Sequence, residues 1–151
     1  MKVALIGSRK YINKNKIKDF VFRLKQKYGD EVSVVSGGCK DGADKYAKKY
    51  ALELDVDYIE YPPIHEQPSI YCPEPDYLYG KTYAVWNFFK RNKQIAKFSD
   101  IVVAFVPEGD EAKGTMDTIK HAKELKVNIK LISDGDVAGA LLVTDKKYNV
   151  D

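Results

Sequence analysis

Cysteine and histidine are scarce in this chain, and their scarcity excludes one common kind of site. Two of the 151 residues are cysteines, Cys39 and Cys72, and two are histidines, His65 and His121. They form neither a CxxC pair nor a cluster of ligands, so we expect no structural metal. Two reduced thiols are ordinary in a cytoplasmic protein, which is the location that we expect.

Long hydrophobic runs are also missing. The apolar stretch at residues 1–7 is too short for the core of a signal peptide, and we interpret it as a strand. No segment approaches the roughly 20 apolar residues of a membrane span. We therefore expect no membrane partner.

Neither sign of charge dominates the sequence. The chain has 25 lysines and arginines against 22 acidic residues, a formal net charge of +3. Such a small charge, with lysines scattered along the chain, argues against nucleic acid as a partner. The length fits one domain, which we place at residues 1–133. Residues 134–151 are predicted to be an extension that adds a strand or an oligomer contact.

Strands and helices are predicted to alternate. Short apolar runs predict strands at residues 2–6, 32–35, 56–61, 101–106 and 127–132. Helical spacing of apolar residues predicts helices at 13–28, 41–54, 81–98 and 114–125. This order is typical of a Rossmann-like three-layer α/β/α fold with a mostly parallel sheet of about five strands.

Residues 62–80 are predicted to be an insertion loop rich in proline and tyrosine. Loops of this length are typically lids or binding segments, and an oligomer contact is the alternative. If the loop is a lid, aromatic rings in and just after it are candidates to stack on a base. These rings are Tyr71, Tyr77, Tyr79, Tyr83 and Trp86.

Ligands of such sheets bind beyond the carboxyl ends of the strands, so the loops there are candidate sites. Ser36-Gly37-Gly38 follows a strand, and Gly42-Ala43-Asp44 begins a helix. Exposed N–H groups at a helix start favour an anion, whereas a tight turn with close packing is the alternative. Asp44 either caps the helix or accepts a bond from a ribose hydroxyl.

Two further loops have a similar composition. Gly7-Ser8-Arg9 offers a glycine, a hydroxyl and a forked cation, although an ordinary strand-to-helix turn is the favoured interpretation of this motif taken alone. Lys113-Gly114-Thr115 precedes a helix and predicts either a phosphate contact or a plain N-cap by Thr115. On sequence grounds alone, Arg91-Asn92 is ordinary helix surface.

Taken together in order, these motifs resemble the SLOG superfamily, in its YspA-like branch, related to the LOG phosphoribohydrolases and the DprA Rossmann domain. The motifs are Ile6-Gly7-Ser8-Arg9, Ser36-Gly37-Gly38 with Gly42-Ala43-Asp44, Arg91-Asn92 ahead of Ser99-Asp100, and Gly114-Thr115 ahead of Ile119. The resemblance implies a homo-oligomer with a nucleotide site and no cofactor. The implied ligand-binding residues are Gly7, Ser8, Arg9, Ser36, Gly37, Gly38, Gly42, Ala43, Asp44, Arg91, Asn92, Lys113, Gly114 and Thr115.

The chain departs from the LOG pattern at one position. LOG enzymes hydrolyse a nucleotide N-glycosidic bond and carry a PGGxGTxxE-like motif, whose glutamate falls here at Thr118. Threonine cannot supply the charge that stabilises an oxocarbenium-like centre, and the neighbouring Asp117 points elsewhere on the helix. Arg91 and Asp117 are the catalytic candidates if the protein is an enzyme.

Two functions therefore compete. The favoured hypothesis is a sensor or sequestering protein, such as a phage-type sponge, for an ADP-ribose-type or cyclic nucleotide signal. The alternative is a phosphoribohydrolase or N-glycosidase acting on a nucleoside monophosphate or an NAD-like substrate. Single-stranded DNA binding, by analogy with DprA, is not expected from the charge.

Overall fold

The computed structural model describes residues 1–133 and 141–142. Its sheet has the order β3-β2-β1-β4-β5-β6, in which the first five strands are parallel and β6 is antiparallel to β5. This confirms the predicted Rossmann-like α/β fold. The strands are β1 Lys2–Gly7, β2 Ser33–Ser36, β3 Asp57–Glu60, β4 Ile101–Val106, β5 Asn128–Ser133 and β6 Leu141–Leu142.

Four helices connect the parallel strands. They are α1 Lys14–Tyr28, α2 Gly42–Glu53, α3 Trp86–Lys97 and α4 Lys113–Glu124, with short 3-10 turns at Gly29–Glu31 and Asp76–Leu78. Asn13 caps α1, because its side-chain oxygen accepts the Lys16 N–H at 3.3 Å.

Helix α3 begins five residues later than the sequence predicts, at Trp86 rather than residue 81. The backbone just before it is already engaged elsewhere. The Lys81 N–H donates to the Ile64 carbonyl at 2.9 Å, and the Asn87 amide donates to the Thr82 carbonyl at 3.2 Å. These bonds fasten residue 81 to the start of the insertion loop and residue 82 to the side chain of Asn87, and α3 begins after them.

The sheet separates two apolar layers. Helices α1 and α2 pack on one face through Ile17, Val21 and Ala47, and α3 and α4 cover the other through Ile95 and Ala122. The central strand β4 is buried along its whole length. Within the described residues, no helix is long and apolar enough to cross a membrane.

The chain order fixes where a ligand can bind. From β1 the chain moves outward through β2 to β3, and it then returns to place β4 on the other side of β1. The connections after β1 and β4 therefore leave in opposite directions and open a crevice between them. Apart from β6, the predicted C-terminal extension lies outside the described residues.

Candidate functional site

A cavity of about 450 Å³ lies at this switch point, between the loops after β1 and β4 and helix α3. Its volume falls within the range of small-ligand pockets. We call it the switch-point cavity. Its walls include, of the predicted ligand-binding residues, Gly7, Ser8, Arg9, Gly37, Asp44, Arg91, Asn92, Lys113, Gly114 and Thr115.

Several residues of the wall were not predicted from the sequence. Asp110 and Glu111 lie in the polar loop after β4, and Phe88 lies in α3. The others are Ile6, Lys10, Cys39, Ile95, Ala112 and Thr118. Ligands of parallel sheets bind beyond the carboxyl ends of the strands, which points to the loops there as a whole and not to these particular positions.

The loops after β1 and β4 are tied together at the rim of the cavity. The Ser8 hydroxyl donates a short hydrogen bond to the Asp110 carboxylate and accepts one from the Lys10 N–H at 3.0 Å. The serine bond, joined by the Ala112 N–H at 3.0 Å, holds the pKa of Asp110 below its usual range. Ser8 therefore connects the two loops and does not present a free hydroxyl.

Gly42 and Ala43 support the β1 loop from below. A Cβ at Gly42 would lie 2.2 Å from the Ser8 carbonyl oxygen, and the backbone there has a φ of +69°. The Ala43 N–H donates to the same Ser8 carbonyl at 3.1 Å. The close-packing alternative thus describes these two residues, which do not line the cavity; their assignment to a ligand stays a prediction.

The glycine-rich loop after β2 uses its own amides. The Gly38 N–H donates to Ser36 Oγ at 3.1 Å, and the Cys39 N–H donates to Asp44 Oδ2 at 3.2 Å. Of Ser36, Gly37 and Gly38, only Gly37 lines the cavity. Ligand contacts by Ser36 and Gly38 stay a prediction, because neither residue lines the cavity.

A buried polar chain stands behind this loop. The Ser36 hydroxyl lies 2.9 Å from the Tyr58 hydroxyl, which donates to Glu60 Oε1 at 2.9 Å. Lys48 Nζ lies 3.3 Å from the same carboxylate oxygen. Burial raises the pKa of Tyr58, so its hydroxyl stays protonated and available as a donor. These hydrogen-bonded side chains fix the position of Ser36 and, through Ser36, the turn that places Gly37 in the cavity wall.

Arg91 and Asn92 are structural links in the cavity wall. Arg91 Nη1 donates to the Gly37 carbonyl at 2.8 Å, and its Nε donates to Asn92 Oδ1 at 3.1 Å. The buried Asn92 donates in turn to the Gly114 carbonyl at 3.3 Å. The interpretation of this pair as ordinary helix surface is therefore wrong.

Asp44 is a buried carboxyl group in the cavity wall. Burial raises its pKa to about 6, although the nearby Arg91 charge and the Cys39 N–H oppose the rise. It does not cap α2, because Asp41 occupies the cap position and no side chain bonds there. The capping interpretation of Asp44 is therefore wrong. Its carboxyl group, with a pKa of about 6, lines the cavity.

Helix α4 begins in the cavity wall without a side-chain cap. Ala112 occupies the cap position with a left-handed φ of +45°, and the first turn has no acidic residue. Thr115 lies inside the first turn, so its interpretation as the N-cap is wrong. The first intrahelical bond runs from the Met116 N–H to the Ala112 carbonyl at 2.9 Å, which leaves the N–H groups of residues 113–115 without an intrahelical partner.

The position of the LOG glutamate holds no charge here. Thr118 lines the cavity, and its hydroxyl donates to the Gly114 carbonyl at 3.3 Å. Asp117 lies outside the cavity wall, where its Oδ2 accepts from Asn92 at 3.2 Å and lies 3.5 Å from His121 Nε2. Among the described residues, no group of His, Cys, Asp and Glu is arranged to hold a metal ion.

The protein is therefore a Rossmann-like α/β domain with a cavity at its switch point. Residues 1–66 match the model of the YAcAr family, described as the YspA, cpYpsA-related SLOG family. This match confirms the SLOG resemblance on the part of the chain that contains the first two cavity loops. A search of curated proteins found no match.

Solved structures share the fold at low sequence identity. DNA processing protein A from Helicobacter pylori, described as binding single-stranded DNA, superposes with a TM-score of 0.64 at 19% identity, over 93% of this chain and 68% of that one. The molybdenum cofactor binding protein of Rippkaea orientalis gives 0.62 at 17%, over 91% and 78%. The molybdenum cofactor carrier protein of Chlamydomonas reinhardtii gives 0.59 at 18%, over 88% and 77%.

Proposed function

We propose that the switch-point cavity binds a phosphate-bearing nucleotide derivative, and that the protein acts as a sensor or sequestering protein for it. The observation that carries this proposal is the uncapped start of α4 in the cavity wall. Unpaired N–H groups at the positive end of a helix favour an anion. Arg9, Lys10, Lys113 and Arg91 add cationic side chains around the same space.

The remaining walls suit a nucleoside. Phe88 lines the cavity together with Ile6 and Ile95, and the Arg91 guanidinium carbon lies 6.0 Å from the centre of the Phe88 ring. A base can stack against such a surface. Asp44 supplies an acceptor for a ribose hydroxyl once it is ionised. These features support a phosphate at α4 and a base near Phe88.

The fold does not by itself choose the ligand. The structures that share it include proteins described as binding single-stranded DNA and the molybdenum cofactor. Our choice of an ADP-ribose-type or cyclic nucleotide rests on the chemistry of the cavity walls and on the SLOG match. We also propose that the protein is cytoplasmic. We further propose that copies of the chain associate, because Tyr83, Val85 and Trp86 are exposed and provide an apolar surface for contact.

A matched pair of arginine variants tests the proposal. Arg9 is exposed in the cavity wall, and Arg23 is exposed on α1 outside it. We expect Arg9→Ala to weaken the binding of adenosine 5′-monophosphate (AMP) and ADP-ribose about tenfold, as loss of one charge-assisted bond does. Arg23→Ala should leave the affinity unchanged in isothermal titration calorimetry. Equal effects of the two variants would contradict a phosphate site in the cavity.

The hydrolase alternative gains a different candidate from the structure. Asp44, with a pKa of about 6, lies in the cavity wall and has the acidity of a general acid or base at neutral pH, whereas Asp117 lies outside the wall. In that reaction water adds to the anomeric carbon as the C–N bond breaks, and the base leaves with a proton. Free adenine released from AMP by the wild type and lost in Asp44→Asn would establish the enzyme; intact AMP recovered after denaturation would establish the binder.

A further inference from the structure

A second concave surface adjoins the switch-point cavity on the far side of Arg91. This surface has a volume of about 310 Å³ and is lined by Pro62, Ile64, Lys90, Arg91, Lys93, Gln94, Lys97 and Phe98. We call it the lysine groove. Arg91 belongs to the walls of both the lysine groove and the switch-point cavity. The two spaces are therefore neighbours across one side chain.

The lysine groove is one-sided in charge. Its wall includes three lysines and Arg91 but no acidic residue. No carboxylate of residues 1–133 forms an ion pair with Lys90, Lys93 or Lys97. The three lysines follow one another at i, i+3 and i+7 on one face of α3 and span roughly 10 Å. Their charges are thus available to an anion longer than a single phosphate.

The groove also has an aromatic wall. The Phe98 ring stacks on Tyr61 with centroids 5.7 Å apart and planes inclined by 24°, and 36% of Phe98 is exposed. Lys97 Nζ lies 5.6 Å from the centre of the Phe98 ring. An aromatic face beside a row of cations is the arrangement that holds a base together with its phosphate.

Arg91 has hydrogen-bonding capacity left for a ligand. Its Nη1 and Nε atoms donate to Gly37, Tyr61 and Asn92, whereas Nη2 has no partner among the described residues. A guanidinium that is fixed by protein contacts and keeps free N–H groups is well suited to a phosphate that passes between two spaces.

From these observations we infer that the ligand consists of at least two nucleotides joined through phosphate. One nucleotide occupies the switch-point cavity, and the second lies in the lysine groove, with the linking phosphate at Arg91. This inference rests on the proposed function and narrows its ligand class from phosphate-bearing nucleotide derivatives in general to a dinucleotide or a longer strand.

The test compares AMP with the 5′-phosphorylated dinucleotide pApA. Trp86 is the only tryptophan of the chain, is 65% exposed, and lies one helical turn before Lys90, so its fluorescence reports on this part of α3. We expect pApA to bind at least tenfold more tightly than AMP. The double variant Lys93→Ala/Lys97→Ala should remove that gain, because it deletes two of the groove's cations. It should change the AMP affinity by less than about threefold, because neither lysine lines the switch-point cavity.

Lys45→Ala/Lys49→Ala on α2 is the matched control. It removes two exposed lysines at the same i, i+4 spacing outside both spaces, and it should keep the full preference for pApA. Equal affinities for AMP and pApA in the wild type, or a preference that survives in the Lys93/Lys97 variant, would overturn the inference while the proposed function stands. A wild type that binds neither molecule would overturn both.

Discussion

Asp44 shows how one buried side chain makes the fold sensitive to pH. Its carboxyl group is held inside the protein, where the charged form loses its water, and the pKa rises from 3.8 to about 6. Well below pH 3.8 the group is protonated in both the folded and the unfolded chain, and its burial does not lower the free energy of unfolding. Between pH 3.8 and about 6 the unfolded chain releases this proton while the folded protein keeps it, so stability falls across this window and levels off above about pH 6.

Asp44→Asn should therefore stabilise the protein at pH 8 and have little effect at pH 3.5. The rise in pKa corresponds to roughly 3 kcal/mol above pH 6, an upper value because asparagine must still accept the Cys39 N–H. Urea denaturation of both proteins across this pH range measures the difference. A gain that is the same at both pH values would show that the carboxyl charge is not its origin.

At the scale of elements, the site depends on how α2 and α4 begin. Helix α2 starts with Gly42 pressed against the backbone of Ser8 and Arg9, and α4 starts with its amides in the cavity wall. The first contact fixes the loop after β1. The second leaves N–H groups without an intrahelical partner in the cavity wall, where we propose that the phosphate binds. Element starts therefore decide the geometry of the cavity more directly than the individual charges around it.

Gly42→Ala should be clearly more destabilising than Gly29→Ala. Both glycines have a positive φ, +69° and +59°, which residues with a side chain rarely adopt, so both substitutions incur backbone strain. A Cβ at Gly29 meets open space, whereas at Gly42 it meets the Ser8 carbonyl oxygen at 2.2 Å. Chemical denaturation should give an additional loss of about 1–3 kcal/mol at Gly42. Equal losses of unfolding free energy in the two variants would show that the loop after β1 moves to accommodate the Cβ without loss of stability.

The sequence predicted the elements better than it predicted the site. Apolar runs such as residues 101–106 specify buried strands directly, because their burial is a property of the run itself. Asp110, Phe88 and the unpaired start of α4 depend on which loops meet across the sheet, and no local pattern records that. The same limit explains why Arg91 looked like surface: its partners, Gly37 and Tyr61, lie far away in the chain.

At the scale of the whole molecule, charge and ligand binding act together. The net charge of +3 hides a segment, residues 81–98, that holds Lys81, Lys90, Arg91, Lys93 and Lys97 and no acidic residue. The net charge of the whole sequence does not show where these lysines lie, and helix α3 places three of them in one groove. Our expectation that nucleic acid is not a partner rested on that net charge, and the proposed dinucleotide ligand qualifies it.

A bound nucleotide should stabilise the entire domain. A ligand that binds only the folded state at one hundred times its Kd adds about 2.7 kcal/mol, which for a chain of this size raises Tm by roughly 5–11 °C. Differential scanning fluorimetry with AMP, pApA and ADP-ribose measures this shift. Adenosine, which lacks the phosphate, is the control and should shift Tm far less; an equal shift with adenosine would place the binding energy in the base alone.

The central position of β1 has a consequence for how the chain folds. Strand β1 pairs with β2 on one side and with β4 on the other, and the Lys2 N–H already donates to the Asp100 carboxylate, 98 residues away. Until residues 101–106 have emerged from the ribosome, β1 exposes one open hydrogen-bonding edge, which is prone to pair with other chains. The pairing of β1 with β4 joins the two halves of the sequence, so the sheet forms through non-local contacts and folding is expected to be slow.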